Sequence, residues 1–190
     1  MTKKNIKKDL IMTPMPVLII GTYDENNVPN AMNAAWGIQS DFEQITIYLS
    51  KHKTTENLKL KKAFTVAFAT KETLAQSDYF GIESGKNLNK IEKVGFHTVK
   101  SEFVDAPIIQ EYPLTIECEV AEMVDESDGY RLVGNVVNVI ADDSVLDEKG
   151  RVNLGKMNII SYDSATHSYR LVGDIVGQAF HDGLSIKNKS

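Results

Sequence analysis

Apolar residues recur at every second position in several short runs. In "ITIYLS" (45–50) Ile45, Ile47 and Leu49 share one face, in "FTVAFAT" (64–70) Phe64, Val66 and Phe68 do, and "LTIECEV" (114–120) sets its glutamates opposite its apolar residues. A period of two is the mark of a half-buried strand. "PVLIIGTY" (16–23) and "RLVGNVVNVI" (131–140) are apolar on both faces, which predicts strands in the interior of a sheet. "HTVKSEFV" (97–104) is a weaker strand pattern. Turn signals at Asp24-Glu25-Asn26-Asn27 and at Asp147 to Gly150 separate such runs, so six or more strands at short spacing predict a mostly antiparallel sheet or barrel.

Helical patterns are few and short. One follows Thr54 to about Ala63, and another lies around Glu72 to Tyr79. A third spans about Lys86 to Val94, with Leu88, Ile91 and Val94 on one face and Gly95 placed to stop it. Lys86 and Lys90 then lie one turn apart, away from that stripe, on a face that is either solvated or turned to a ligand. "YRLVGNVV" (130–137) returns as "YRLVGDIV" (169–176), but the flanking segments do not match, so the echo reads as two strand-like stretches and not as a duplicated domain.

A chain of 190 residues suits one domain with appended elements, and its 42% hydrophobic and 25% charged residues are ordinary for a globular protein. The formal net charge of −5 argues against a nucleic-acid binder, which needs a basic face. Residues 1 to about 10 form a lysine-rich arm with Lys3, Lys4, Lys7 and Lys8, and the longest apolar run, Val17 to Ile20, is too short to cross a bilayer. No membrane association and a cytoplasmic location are expected. Cys118 has no partner for a disulfide and shares the inward phase of Leu114, Ile116 and Val120.

Several chemistries are missing. His52, His97, His167 and His181 show no metal-binding spacing, so no metal is expected. There is no GxSxG elbow and no GxGxxG fingerprint, and "GIESGK" (81–86) is one residue short of a phosphate loop, with Asn87 where Ser or Thr is needed.

"LSKHKTTENL" (49–58) is more informative. A strand ending at Ser50 and a helix starting near Thr55 turn the first helical N–H groups toward the loop. Lys51 and Lys53 add charge there, and Ser50, Thr54 and Thr55 add hydroxyl donors, which suits a monophosphate; an ordinary N-cap at Thr54 or Thr55 with solvated lysines is the alternative. "PNAMNAAWG" (29–37) joins small residues, two asparagines and the only tryptophan, ahead of a polar break at Ser40-Asp41. Ala34 and Ala35 would admit a flat ring close to the backbone, unless this is a core strand with Trp36 as filler. A ring site and a monophosphate site without a dinucleotide fold describe a mononucleotide such as FMN.

These stretches, with "SDYFGIESGKNLNK", "APIIQEYPLTIECEV" and the closing "YRLVGDIVGQAF", resemble in order and spacing the flavin reductase-like family of FMN-binding split barrels, which includes flavoredoxins and NAD(P)H:flavin oxidoreductases. The resemblance covers most of the chain and implies one domain over residues 1–190: mainly β, an antiparallel Greek-key split β-barrel with a few short peripheral helices. It implies noncovalent FMN, with Asn33, Ala34, Ala35 and Trp36 against the isoalloxazine. Ser50, Lys51, His52, Lys53, Thr54, Thr55 and Asn57 would take the phosphate and ribityl chain. Ser84, Lys86 and Lys90 would complete the phosphate side or line the cavity mouth, although many members carry Arg where this chain has Lys86. "VGQAFHDG" (176–183) is similar to the family's C-terminal segment, which packs near the flavin.

The resemblance further implies a homodimer and an NADH- or NADPH-dependent flavin reductase. No catalytic side chain is required, because the flavin carries the electronics. Two other readings keep the same fold: a flavoredoxin-type electron carrier with a redox protein partner, and a binding protein for haem or another planar ligand.

Overall fold

The computed structural model describes residues 1–5 and 12–187; Lys7 and Lys8 of the N-terminal arm lie outside them. The first strands are β1 (Met15–Pro16), β2 (Leu18–Tyr23), β3 (Pro29–Ala34), β4 (Gly37–Asp41) and β5 (Gln44–Ser50). Helix α1 (Lys53–Lys61) leads into β6 (Ala63–Phe68), followed by α2 (Leu74–Ile82) and the single turn α3 (Lys90–Lys93). Then come β7 (Thr98–Lys100), β8 (Pro107–Ile109), β9 (Leu114–Glu126) and β10 (Gly129–Ala141). The turn α4 (Leu154–Met157), strands β11 (Ile160–Asp163) and β12 (Ser168–Leu171), and the turn α5 (Leu184–Lys187) complete the chain.

Seven strands form one sheet in the order β3-β2-β6-β9-β10-β5-β4, and every neighbouring pair is antiparallel. This mainly β architecture with a few short helices is the fold class that the alternation predicts. The long β9–β10 hairpin shifts register between Val133 and Gly134 and again between Val136 and Asn138. Such bulges bend a strand, so one hairpin serves β6 on one side and β5 on the other while the sheet curls. Gly134 is required in that curl, because a Cβ there would strike the buried Phe64 ring.

The two faces of the curled sheet bury different things. Inside, Leu18, Ile20, Met32, Ile47, Leu49, Phe64, Val66, Cys118 and Leu132 form one cluster, closed by Leu58 from α1. Each such large side chain contributes about 1.5–3 kcal/mol by leaving water. Cys118 joins this core as its phase predicts, and burial, with the charge of Glu117 second, pushes its thiol up to about 12. Outside, Val17, Ile19, Ala31 and Ala67 pack against Phe80 of α2, Ile91 of α3, Ile109 of β8 and Ile160 of β11. With Leu18 and Ile20 in the inner cluster and Ile19 in the outer one, β2 is buried on both faces.

The structure corrects several expectations. Ser40-Asp41 is no break: Gly37–Asp41 is an edge strand paired with β5, invisible to alternation because four of its five residues are exposed. The strand expected over 97–104 shrinks to Thr98–Lys100, and its partner Pro107–Ile109 is equally short. The helix expected from Lys86 is only Lys90–Lys93, started by Asn89 and stopped at Gly95 with φ +74°. The helix expected around Glu72 to Tyr79 runs from Leu74 to Ile82. Glu117 does not face solvent although it lies opposite the apolar residues; it is buried and accepts a hydrogen bond from Asn138. All of 130–137 lies in β10, whereas only the first residues of its echo, through Leu171, are strand.

Candidate functional site

Helix α1 begins where β5 ends, and its start is closed by its own sequence. His52 has extended backbone (φ −138°), its N–H donates to Thr55 Oγ1 at 3.0 Å, and that hydroxyl donates to the His52 carbonyl at 2.8 Å. Thr55 is therefore spent on the cap. Thr54 is different: Asn30 Nδ2 of β3 donates to its Oγ1 at 2.8 Å, which leaves the hydroxyl proton free to donate. The N–H groups of Lys53 and Thr54, in the first turn, precede the first residue that can reach back to a helical carbonyl.

A cleft of about 220 Å³ opens at this junction. Ser50, His52, Lys53 and Thr54 line one end; Asn33, Ala34, Ala35 and Trp36 line the other; Ser84 and Gly85 from the loop after α2, and Lys90 from the start of α3, close it. Asn33 ties β3 to α2 by donating from Nδ2 to the Ser77 carbonyl at 2.8 Å. Trp36 is 62% exposed, its ring 5.8 Å from that of Tyr48, so it stands at the lip and does not fill a core. The loop comes close because residue 85 is glycine: a Cβ would run into the Asn30 amide.

The lysines are the least expected part. Lys90, expected on a solvated face or toward a ligand, is only 4% exposed, and its Nζ donates to the Phe80 carbonyl at 2.8 Å and the Glu83 carbonyl at 2.9 Å. It thus satisfies carbonyls at the end of α2 while lining the cleft. Burial lowers its pKa to about 8, with Glu83 acting the other way. Lys53 lies 3.3 Å from Glu25 and 3.6 Å from Asp24. Burial opposes its charge, but these carboxylates outweigh that and raise its pKa.

Four other residues do not line the cleft. Lys51 pairs with Asp125 at 3.2 Å, and Lys86 pairs with Glu56 at 2.6 Å, both at the surface. Asn57 is buried and donates to Thr22 Oγ1 at 3.0 Å, and Thr55 closes the cap. Residues 176–183 are exposed and line no part of the cleft. Sequence reasoning missed Asn30, Met32, Tyr48, Leu49, Phe80, Gly81, Glu83 and Gly85, all lining residues. Asn30 and Met32 belong to the stretch already singled out, and Gly81, Glu83 and Gly85 to "GIESGK", so proximity in sequence was the available signal.

The donor set suits an anion and the alanine floor suits a flat ring. The Thr54 hydroxyl bonded to Asn30, and the loop at Gly85 against Asn30 and Lys53, mark one end, and Ser50, Ser84 and Lys90 add donors to the lining. At the other end Ala34 and Ala35 present no bulk, beside two aromatic rings. The residues present therefore fit a phosphorylated planar heterocycle. Among the described residues, no cluster of His, Cys, Asp and Glu could hold a metal ion. No helix among them is long and apolar enough to cross a membrane.

Comparison with known proteins gives a consistent picture. Residues 11–158 match the family described as the Flavin reductase like domain. The flavoredoxin of Desulfovibrio vulgaris (Miyazaki F) superposes with a TM-score of 0.91 at 29% identity, over 96% of this chain and 100% of that one. Flavoredoxin from Methanosarcina acetivorans gives 0.90 at 26% identity, over 98% and 100%. An uncharacterised protein of Aquifex aeolicus is 30% identical over 103 residues, 54% of this chain and 53% of that relative, so the match spans about half the relative's length.

Proposed function

Because this chain belongs to the flavin reductase like domain family, we propose that its cleft binds FMN noncovalently and that the protein is an NAD(P)H-dependent flavin reductase. One observation carries the reading: the alanines at the end of β3, the hydroxyls at the start of α1 and the Lys90 ammonium share one cleft. Thr54, Ser50, Ser84 and Lys90 would hold the phosphate and ribityl chain. Asn33, Ala34, Ala35 and Trp36 would orient the ring. Lys53 would contribute field from its place beside Asp24 and Glu25. FMN, when bound, supplies the hydride chemistry; the protein positions it and excludes water from one face.

Lys51, Thr55, Asn57 and Lys86 act indirectly in this reading. Thr55 and Asn57 fix the helix that presents Thr54, while Lys51 and Lys86 stay on surface carboxylates. A second reading, an electron carrier serving a redox protein partner, is favoured by the similarity to two flavoredoxins over nearly the whole chain. The experiment is a spectrum of purified, FMN-reconstituted protein before and after anaerobic addition of NADH and of NADPH. Bleaching by either donor supports the reductase, a flavin reduced only by dithionite supports the carrier, and failure to retain FMN overturns both.

The active form is proposed to be a homodimer. Val176 and Phe180, on the C-terminal arm, are 100% and 102% exposed. An apolar seam of about 410 Å³ between β2 and β4, lined by Leu18, Ile38, Phe42 and Val139, is also left open by the described residues. A second copy bringing the same two features would cover both at once.

A further inference from the structure

We propose that a second cleft, between α2 and the β11–β12 hairpin, binds a neutral planar carbonyl compound of the quinone type, and that Tyr162 with His167 delivers the proton its reduction needs. The inference rests on the FMN reading and adds the acceptor. This cleft has a volume of about 400 Å³ and shares Asn33, Ala34, Ala35 and Gly81 with the first. A ligand in it would therefore border a ring held on the alanine floor. Gly81 permits the junction, since a Cβ there would come within 3.3 Å of Asn33 Cβ.

The outer wall is aromatic and protic. Tyr162 and Tyr169 are cross-strand partners with ring centroids 6.0 Å apart. The Tyr169 hydroxyl donates to Asp78 Oδ1 at 2.7 Å, which pins the hairpin to α2. Burial and then that carboxylate push the Tyr169 phenol well above its ordinary range, so Tyr169 serves as a fixed wall. The Tyr162 hydroxyl lies 2.8 Å from His167 Nδ1. His167 holds this place with φ +49°, a left-handed conformation uncommon outside glycine. Its exposure to water gives it a source of protons.

Charge selects the ligand class. Among the described residues no lysine or arginine lines this cleft, and its one carboxylate is Asp78. Among these residues a phosphate-bearing ligand would meet a carboxylate and no permanent cation, whereas a neutral quinone offers carbonyl oxygens to the phenol and flat faces to Tyr162 and Tyr169. Reduction of a quinone to the hydroquinone takes two electrons and two protons. FMN held in the first cleft and reduced by a nicotinamide donor would supply both electrons and one proton as hydride. The other passes from the Tyr162 hydroxyl to the carbonyl oxygen, and protonated His167 returns a proton to Tyr162.

The test uses 1,4-naphthoquinone with the full-length protein. Calorimetric titration of ligand-free and of oxidised, FMN-reconstituted protein reads binding without turnover, and FMN content is measured separately by release on denaturation. Naphthoquinone is expected to bind wild type, to bind Tyr162→Phe about fivefold more weakly, and to be blocked by Ile82→Trp at the exposed lip. In turnover, the ratio of the naphthoquinone rate to the rate with ferricyanide, which needs no proton, should fall roughly tenfold or more in Tyr162→Phe. Equal binding by wild type and Ile82→Trp would overturn the site, and an unchanged ratio would overturn the proton role. Protein that retains no FMN would defeat the cofactor reading, while titration of the ligand-free form would still decide whether naphthoquinone occupies this cleft.

Discussion

Thr54 and Lys90 show how much one side chain can be asked to do. The Thr54 oxygen accepts from Asn30, so its proton remains free to donate to an anionic ligand. Thr54→Val keeps the shape and removes that proton; FMN affinity is expected to fall about tenfold, near 1.4 kcal/mol, as measured by fluorescence titration. Adding Lys53→Ala should bring the loss to about 2–3 kcal/mol, and unchanged affinity in the double variant would remove the phosphate assignment. Lys90 gives two pH trends of opposite sign. Its folded pKa of about 8 lies below the ordinary 10.5, so between these values the unfolded chain holds a proton that the folded chain has released. Its contribution to the stability of the ligand-free protein therefore rises with pH across that window. An anionic cofactor prefers the ammonium, so FMN affinity should instead fall as pH passes about 8. Urea midpoints and FMN dissociation constants across this range, each compared with Lys90→Met, check both signs. Spacing alone could not reveal this burial, because a lysine four residues after another reads the same on a wet face as beneath a helix end.

At the scale of elements, the junction of β5 and α1 is fixed locally. The reciprocal bonds between His52 and Thr55 set where the helix starts, and hence where Thr54 points. Thr55→Ala should lower the unfolding free energy by about 1 kcal/mol in a denaturant titration and weaken FMN through Thr54, with naphthoquinone binding to the other cleft less affected. The junction was legible as a strand, a hydroxyl-rich turn and a helix. Of the β11–β12 hairpin only the strand-like start of 169–176 was legible: four residues per strand give alternation too little length to register, and the hairpin's packing partners are α2 and β1, far away in sequence. Edge strand β4 escaped for the opposite reason, since four exposed residues carry no burial pattern at all.

At the scale of the whole molecule, the curled sheet brings β3, the α1 start and the loop after α2 to one cleft, and leaves an apolar seam and a C-terminal arm uncovered. If a second copy covers them, light scattering should give twice the chain mass, and Val176→Asp with Phe180→Asp should shift the protein toward monomer without changing its circular dichroism. A monomeric wild type at micromolar concentration would rule the dimer out. The substitution should leave the inner core untouched, because neither residue belongs to it.

The chain by itself determined that alternating strands dominate, that Cys118 turns inward, and that a hydroxyl-rich strand-to-helix junction follows residue 50, because each of these depends on neighbours a few positions apart. Only the tertiary structure decided which strands adjoin, that Lys90 is buried under the end of α2 while Lys86 is not, and that Tyr162, His167 and Tyr169 face the same floor as the first cleft. Those outcomes depend on contacts between segments tens of residues apart. Local periodicity carries no information about such contacts; the burial of both sheet faces selects them.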